Sequence, residues 1–441
     1  MLDVLRRDAL AIFRAAVAAV DPGTCVKRVV DLRGETLTVA GMTYALSCYD
    51  EVVVIGAGKA SPAMAGAMEE MLGDRICAGM INTKYGHGRP LRRIEVNECG
   101  HPIPDHRGVE GTEKMLRLVE QARERSLVIC LISGGGSALL PAPPEGISLT
   151  DKQETTSLLL ASGASIGEMN VVRKHLSQVK GGQLARTAAP ATVVTLVLSD
   201  VIGDPLDVIA SGPTVPDRST FAECTAILER YDLTHNVPDG VQHRIRGGIA
   251  GQIEETPKPG DPVFERCRAT VIGNNRIALK AAKQEAEGSG YRTLVLSSVV
   301  RGEAREAALF FTAIGQEILT SREPIAPPAC LIAGGETTVT VRGKGKGGRN
   351  QEFVLAGAIA IADVERTILF SAGTDGTDGP TDVAGAIADG WTVKRAHVKG
   401  MDPSHFLKEN DAYPFFRALD DLIITGPTGT NVMDIAVLLV G

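Results

Sequence analysis

The chain has 441 residues, more than one ordinary hydrophobic core organises, so two domains of the usual ~100 to 200 residues are expected. Its formal charge of -7, with no Lys/Arg stripe carrying interleaved aromatics, argues against a nucleic-acid partner. The eight cysteines are scattered, with no C-x-x-C pair and no cluster shared with histidine, which speaks against a zinc site or disulfide framework and for a reduced, cytoplasmic protein.

In chain order, the first predicted element is an amphipathic helix. Leu2, Leu5, Ala9, Phe13 and Val17 share one face, Arg6, Arg7 and Arg14 lie mainly elsewhere, and Asp21-Pro22-Gly23 stops it. Asp8 and Arg14 interrupt any signal-peptide apolar region, and no run approaches the ~20 apolar residues that span a membrane, so a packing helix and no membrane partner are expected. Short apolar runs then alternate with glycine-containing turns and helical stretches. The runs are 52–55, 76–81, 127–132 and 192–198 in the first half, and 270–272, 293–296, 329–333 and 367–371 in the second. This is the pattern of βα units around a mostly parallel sheet, in which ligands bind beyond the carboxyl ends of the strands. Between Val215 and Arg268 the pattern loosens into a segment rich in Pro, Gly and charge, and strand, turn and helix resume near residue 270. The expected division is a Rossmann-like domain over 1–240 and a second α/β domain over 241–441, with the active site in the cleft between them.

Four motifs in the first half carry candidate chemistry. The run 52–61 leads a strand into Gly56-Ala57-Gly58-Lys59, which can aim backbone N–H groups and an ammonium at an anion; the plain alternative is a glycine turn with a solvated lysine. As a dinucleotide fingerprint it is incomplete, since Ser61 replaces the third glycine and the next strand ends at Asn82-Thr83-Lys84 without a ribose-binding acid. The run 131–144 opens a buried strand into Ser133, Gly134, Gly135, Gly136 and Ser137, a cradle for phosphate or carboxylate, or else a flexible turn. Residues 170–185 carry Arg173, Lys174, His175 and Lys180; on one helix Arg173 and Lys180 would share a face and present two cations to an anionic substrate, or form a basic solvated face. Residues 197–214 deliver Ser199 and Asp200 at a strand end, followed by Asp204 and Asp207. Such carboxylates suit Mg²⁺, although Asx-turn capping also accounts for Asp204 before Pro205.

The second half supplies Glu336 within Gly334–Thr338 and a glycine loop at 343–352 bearing Lys344, Lys346 and Arg349, which enters a helix through Asn350. Such a loop is expected to be mobile and to bring a guanidinium onto a phosphoryl group. Asp375, Asp378 and Asp382 follow among glycines and could ligate a cation.

Taken together and in order, IGAGKAS, LISGGGSALL, NVVRKHLSQVKGG, LSDVIGDPLDVIASGPT, AGGETTVTV, GKGGRNQE and AGTDGTDGPTDVAGA resemble the class II glycerate kinases, whose C-terminal part, here about 325–441, is called the MOFRL domain. The resemblance implies a two-domain α/β enzyme that transfers the γ-phosphoryl group of ATP to D-glycerate with Mg²⁺, mostly giving 2-phosphoglycerate. It also implies that the family's active-site lysine falls on Lys59 and its arginine on Arg349. The residues and the resemblance together lead to a set of expected roles. Lys59 and Arg349 stabilise the transferred group, Asp200 accepts the hydroxyl proton, and Asp200 or Asp204 holds Mg²⁺. Arg173 or the 133–137 loop takes the substrate carboxylate, and Gly56, Gly58, Lys180, Glu336, Asn350 and Asp375 complete the binding set. Two other readings stand beside it: an NAD(P)H-dependent hydroxypyruvate reductase, a label that members of this family have carried, and a non-catalytic binder of small organic acids. A homodimer is the base expectation for assembly.

Overall fold

The computed structural model describes residues 2–441, which divide into two compact units: Pro22–Ile272, and Gly273–Gly441 together with the segment up to Asp21. This differs from the expected division at 240/241. The loosened segment stays with the first unit, and the N-terminal helix, Leu2–Ala19, joins the second. That helix buries Leu5, Ala9, Ile12, Phe13 and Ala16, packing on the helix Asn275–Gly288 and setting the Phe13 ring 5.2 Å from Phe370. The expected apolar stripe is therefore real, and its burial partner lies far along the chain.

In the first unit, a small antiparallel meander of β1 (Val30–Arg33), β2 (Thr36–Val39) and β3 (Met42–Ala45) precedes the main sheet. The main sheet contains β4 (Glu51–Ala57), β5 (Ile76–Lys84), β6 (Glu95–Cys99), β7 (Ser126–Ile132), β8 (Thr192–Leu198) and β9 (Cys267–Gly273) in the order β6-β5-β4-β7-β8-β9. The pairs from β6 through β8 are parallel. Strands β7 and β8 are buried at every position, which is why they read as unbroken apolar runs and not as alternation. This strand order is that of dinucleotide-binding α/β sheets, and it reverses between β4 and β7, where such sheets open a crevice for ligands. A helical layer over Leu149–Ala161, Ile166–His175, Phe221–Arg230 and Asp239–Ile249 has its own core around Leu159, Val172, Phe221 and Val241. Three of these helices start with capping boxes, Ser148/Asp151, Ser165/Glu168 and Thr220/Glu223.

The second unit holds a six-stranded sheet of β10 (Arg292–Val300), β11 (Ala329–Gly335), β12 (Thr367–Gly373), β13 (Gly385–Asp389), β14 (Leu422–Ile423) and β15 (Asp434–Val440), in the order β10-β11-β15-β12-β13-β14. Only β10 and β11 pair in parallel; every other neighbour is antiparallel. The mostly parallel, doubly wound sheet expected of the N-terminal domain is thus present in the first unit, and the second α/β unit carries a mixed sheet. The fully buried chain end, β15, inserts between β11 and β12, and the connection from β12 to β13 contains no crossover helix, so β13 can only run antiparallel.

Because the Phe13 ring closes the second unit's core, Phe13→Ala should lower that unit's unfolding free energy by ~3–5 kcal/mol. Urea unfolding followed by hydrogen exchange should show protection lost in residues 273–441 first, with strands β4 to β8 unaffected.

Candidate active site

The first glycine loop and the triple-glycine loop meet at the sheet's reversal point. Lys59 N donates to Gly134 O at 2.9 Å, Ser133 N to Ala57 O at 3.1 Å, and Ala60 N to Ser133 Oγ at 3.0 Å. Gly58 has φ +144°, and a Cβ there would lie 2.1 Å from Ser133 Oγ, so glycine is required. Gly56, in the buried part of β4, lies against Leu131, and Ser61 is buried with its hydroxyl on Leu131 O (3.1 Å) and beside Ser133 Oγ (3.1 Å). Lys59 is half-buried, with no ion pair or side-chain hydrogen bond among the described residues. Near it lie Lys84, His87 and His101. Burial, reinforced by the ammonium groups of Lys59 and Lys84, pushes the His101 imidazole down to about 4, and burial also lowers His87. At neutral pH this edge therefore carries two ammonium charges beside neutral imidazoles, a setting for an anion.

Asp200 follows β8 and faces this loop: a Cβ at Gly134 would lie 2.2 Å from Asp200 Oδ2, a close approach that only glycine permits. Asp204 sits in the next turn with φ +56°. Among the described residues no three His, Cys, Asp or Glu side chains gather as a metal cage. Mg²⁺ does not require one, since it binds through one or two carboxylates and otherwise through phosphate and water, and the Asp200 and Asp204 oxygens fit that donor type. Ser137 Oγ lies 2.8 Å from Ser211 Oγ, and Ala210 and Ser211 are both left-handed (φ +50° and +61°), a strained turn packed against Gly136.

The helix expected to carry both Arg173 and Lys180 ends at His175, so the two do not share a helical face. Lys180 is buried and donates to Ser137 O at 2.8 Å and Leu140 O at 3.3 Å, supporting the triple-glycine loop from behind. Lys174 pairs with Asp217 at 3.1 Å, and His175 Nε2 lies 3.0 Å from Glu255. Both are structural, whereas Arg173 makes no ion pair or hydrogen bond with a protein group among the described residues.

In the second unit, Arg349 begins the helix Arg349–Ala360. Its Nε and Nη2 grip Asp434 at 2.5 and 3.0 Å, and Nη1 meets Glu336 at 3.1 Å. Burial opposes the charged guanidinium, but these acids more than offset it and raise its pKa. Two of the five guanidinium N–H groups donate to Asp434, and the ion pair with Glu336 helps to fix the direction of the rest. Asn350 donates to Asp434 at 2.9 Å and accepts from Ser371 Oγ at 2.6 Å. Asp378 caps the helix start through Asn350 N (3.0 Å) and Gln351 N (2.9 Å). The expected aspartate cation site is absent among the described residues: Asp378 is committed to the cap, Asp375 accepts from Thr377, and Asp382 accepts from Tyr413. Nor is the 343–348 loop a free flap. Arg342 N and Gly343 N bond Asn410 Oδ1, Lys346 N bonds Asp411 Oδ1, and the Lys346 ammonium lies 4.5 Å from the Tyr413 ring.

Beside Arg349's partners is a cavity of about 370 Å³. Ala307, Phe310, Phe311 and Phe353 form its apolar wall, and Gly334, Gly335, Asn350, Ser371 and Asp434 its polar end. An apolar slot with a few convergent polar groups is the usual form of a small-molecule site. Sequence reasoning missed His101, Lys152, Asp434 and Ser371. Asp434 alone left a local signal, a carboxylate opening an apolar run at 434–440.

Residues 8–246 match a family described as a domain of unknown function (DUF4147), and residues 329–434 match the MOFRL family. The chain is 44% identical to a glycerate 2-kinase of Pyrococcus horikoshii over 99% of its own length and 97% of the relative's. It is 41% identical to a putative hydroxypyruvate reductase of Agrobacterium vitis over 99% of its length and 94% of that protein's. Among solved structures, a glycerate kinase of Thermotoga maritima superposes with a TM-score of 0.90 at 43% identity, with all of both chains covered.

His101 gives the site a pH signature. Its folded pKa, about 4, lies below the unfolded value of 6.5, so the unfolded chain binds the extra proton; the contribution is present above 6.5 and is lost as pH falls toward 4. His101→Gln should flatten the fall in melting temperature across that window, as measured by calorimetry at matched ionic strength.

Proposed function

The chain belongs to the glycerate kinase family that carries the MOFRL domain, and from that membership we infer that it is a glycerate 2-kinase. The observation that carries the reading is the meeting of Lys59 with the triple-glycine loop at the sheet's reversal point, within a chain similar to glycerate kinases from end to end. The substrates are small molecules, D-glycerate and a nucleotide. ATP is the nucleotide we assign, with its phosphates at the 56–59 and 133–137 loops.

In the reaction the substrate's 2-hydroxyl oxygen forms a bond to the γ-phosphorus as the bond from that phosphorus to the β–γ bridging oxygen breaks. ADP leaves, and the hydroxyl proton passes to the Asp200 carboxylate. Lys59 meets the charge spread over the transferred group. For Arg349 the family resemblance implies an active-site role, and Asp434 and Glu336 hold its guanidinium in a fixed direction, so that little reorganisation opposes its action. Asp200 and Asp204 would hold Mg²⁺, which neutralises phosphate charge when bound. Arg173 takes the carboxylate end of D-glycerate. The free state of all eight cysteines fits the cytoplasmic location we propose.

The reductase reading finds no purchase in the first unit. Ser61, in the place of a third fingerprint glycine, is a buried hydrogen-bonding residue, and Asn82 at the end of β5 is buried on Gly108 O, Thr112 Oγ1 and Leu139 O, where no ribose could reach it.

With D-glycerate, ATP and Mg²⁺, ADP release should depend on glycerate and yield 2-phosphoglycerate by NMR. Lys59→Met and Arg349→Met should each lower kcat/KM by about 10³-fold or more. Glycerate-dependent ADP release of wild-type size in either variant would remove that residue from the reaction, and nicotinamide oxidation without ADP would remove the kinase reading.

A further inference from the structure

Behind the triple-glycine loop, the helical layer of the first unit gathers cations without an acid. Lys152, on the helix Leu149–Ala161, has a half-exposed stem, but its ammonium is enclosed and has no hydrogen-bond partner among the described residues. Arg173 adjoins it, and Lys180 and Arg244 complete the group. Lys180 donates to Ser137 O and Leu140 O, and Arg244 Nε donates to His175 O at 2.6 Å. Lys152 is close enough to the other three to be repelled by them. Burial, together with Arg173 and Arg244, pushes Lys152 down to about 7, while burial, Lys152 and Arg173 push Lys180 well below its usual range. Among the described residues no carboxylate pairs with any of the four.

The nearby acids are committed elsewhere. Asp151 closes the capping box with Ser148, Glu168 holds Ser165, Arg230 and Tyr231, Asp217 holds Lys174, and Glu255 holds His175, Lys258 and Phe221 N. An enclosed ammonium with no acceptor costs folding free energy, and a chain with 53 acidic residues could have placed one here. The arrangement makes sense if the missing acceptor is a ligand's.

We propose that Lys152, Arg173 and Lys180 form an anion pocket that binds the carboxylate of the acceptor substrate, with the Lys152 ammonium as its deciding contact. Arg173 offers the planar fork that matches a carboxylate, and Lys180 ties the pocket through Ser137 to the loop assigned to the phosphates. The unbound ammonium is only partly protonated near neutral pH, so carboxylate binding recruits a proton to Lys152. The assignment to glycerate rests on the kinase reading; the anion pocket itself does not.

The test is calorimetric titration of the full chain with D-glycerate and, separately, inorganic phosphate, in two buffers of different ionisation enthalpy, with steady-state kinetics alongside. In Lys152→Met, the Kd and KM for D-glycerate should rise by about tenfold or more while the KM for ATP stays within about twofold, and the proton uptake seen in the wild type should vanish. Lys152→Arg, which keeps the charge, should fall between the two. Lys152→Met should melt no lower than the wild type without ligand, because it removes an unpartnered buried charge, yet gain less from added glycerate. Unchanged glycerate binding in Lys152→Met would overturn the proposal. So would a loss confined to phosphate, which would move the pocket to a phosphoryl group. Glycerate binding that needs Lys152 in a protein releasing no ADP would sink the kinase and keep the pocket; normal kinase activity with an unchanged glycerate KM would do the reverse.

Discussion

The close approach of Gly58 to Ser133 is the constraint on which the ligand-facing edge of the first unit depends. Two parallel strands that neighbour each other at the sheet's reversal point end in loops that would ordinarily diverge, since their helices leave for opposite faces. Here the loops stay locked by Lys59 N on Gly134 O, Ser133 N on Ala57 O and the Ser133 hydroxyl under Ala60 N, and a side chain at Gly58 would abolish the fit. The lock leaves Lys59 beside the triple glycine and brings Gly134 against Asp200 from the next strand. Lys180 then braces the far end of the same loop through Ser137 O. One steric condition therefore places residues that are separated by more than a hundred positions in sequence.

The second unit solves a similar positioning problem by charge. Arg349 stands at a helix start, where the helix dipole disfavours a cation, and it is held there by Asp434 from β15 and by Glu336. Asp378 occupies the helix's exposed N–H groups, and Asn350 bridges Asp378 and Asp434. The cost of burying these carboxylates shows in the raised pKa of Asp378 and Glu336, in each case chiefly through burial. What the cluster obtains is a guanidinium with a fixed direction.

How much of this was legible follows from which interactions are local. The eight apolar runs all became strands, and the amphipathic N-terminal helix formed with its expected buried face, because periodicity and glycine placement act within a few residues. Lys59, the 133–137 loop and Asp200 were singled out because the ends of parallel strands are where ligands bind, a rule that needs no tertiary detail, and the fold does bring them to one edge of the first sheet. Arg173 and Lys180 were paired on a helix that in fact ends between them, since helix length there is set by packing of the layer around Phe221 and not by propensity. The strand order of the second sheet was out of reach for a related reason: the run at 434–440 says strand, but nothing local says that it enters between β11 and β12. His101 and Lys152 were invisible because an isolated His or Lys acquires meaning only from the charges that other segments bring beside it.

The distribution of unmatched charge ties these observations together. In the second unit the principal cation is over-neutralised, with Arg349 meeting two carboxylates. In the first unit, Lys59 and Lys84 sit by neutral imidazoles, and Lys152, Arg173, Lys180 and Arg244 cluster without an acid. A protein with a net charge of -7 has acids in excess, so leaving these cations unpaired in partly buried positions runs against its own composition. Like charges held together in a low-dielectric setting are destabilising unless something anionic joins them, and a fold selected for stability alone would have supplied the acid itself. The two cationic sites flank one loop, with Lys59 at its opening and Lys180 at its end. A substrate with a carboxylate and an acceptor hydroxyl, meeting a polyphosphate donor, presents two separate anionic ends to such a loop, and that is the charge pattern the first unit leaves open.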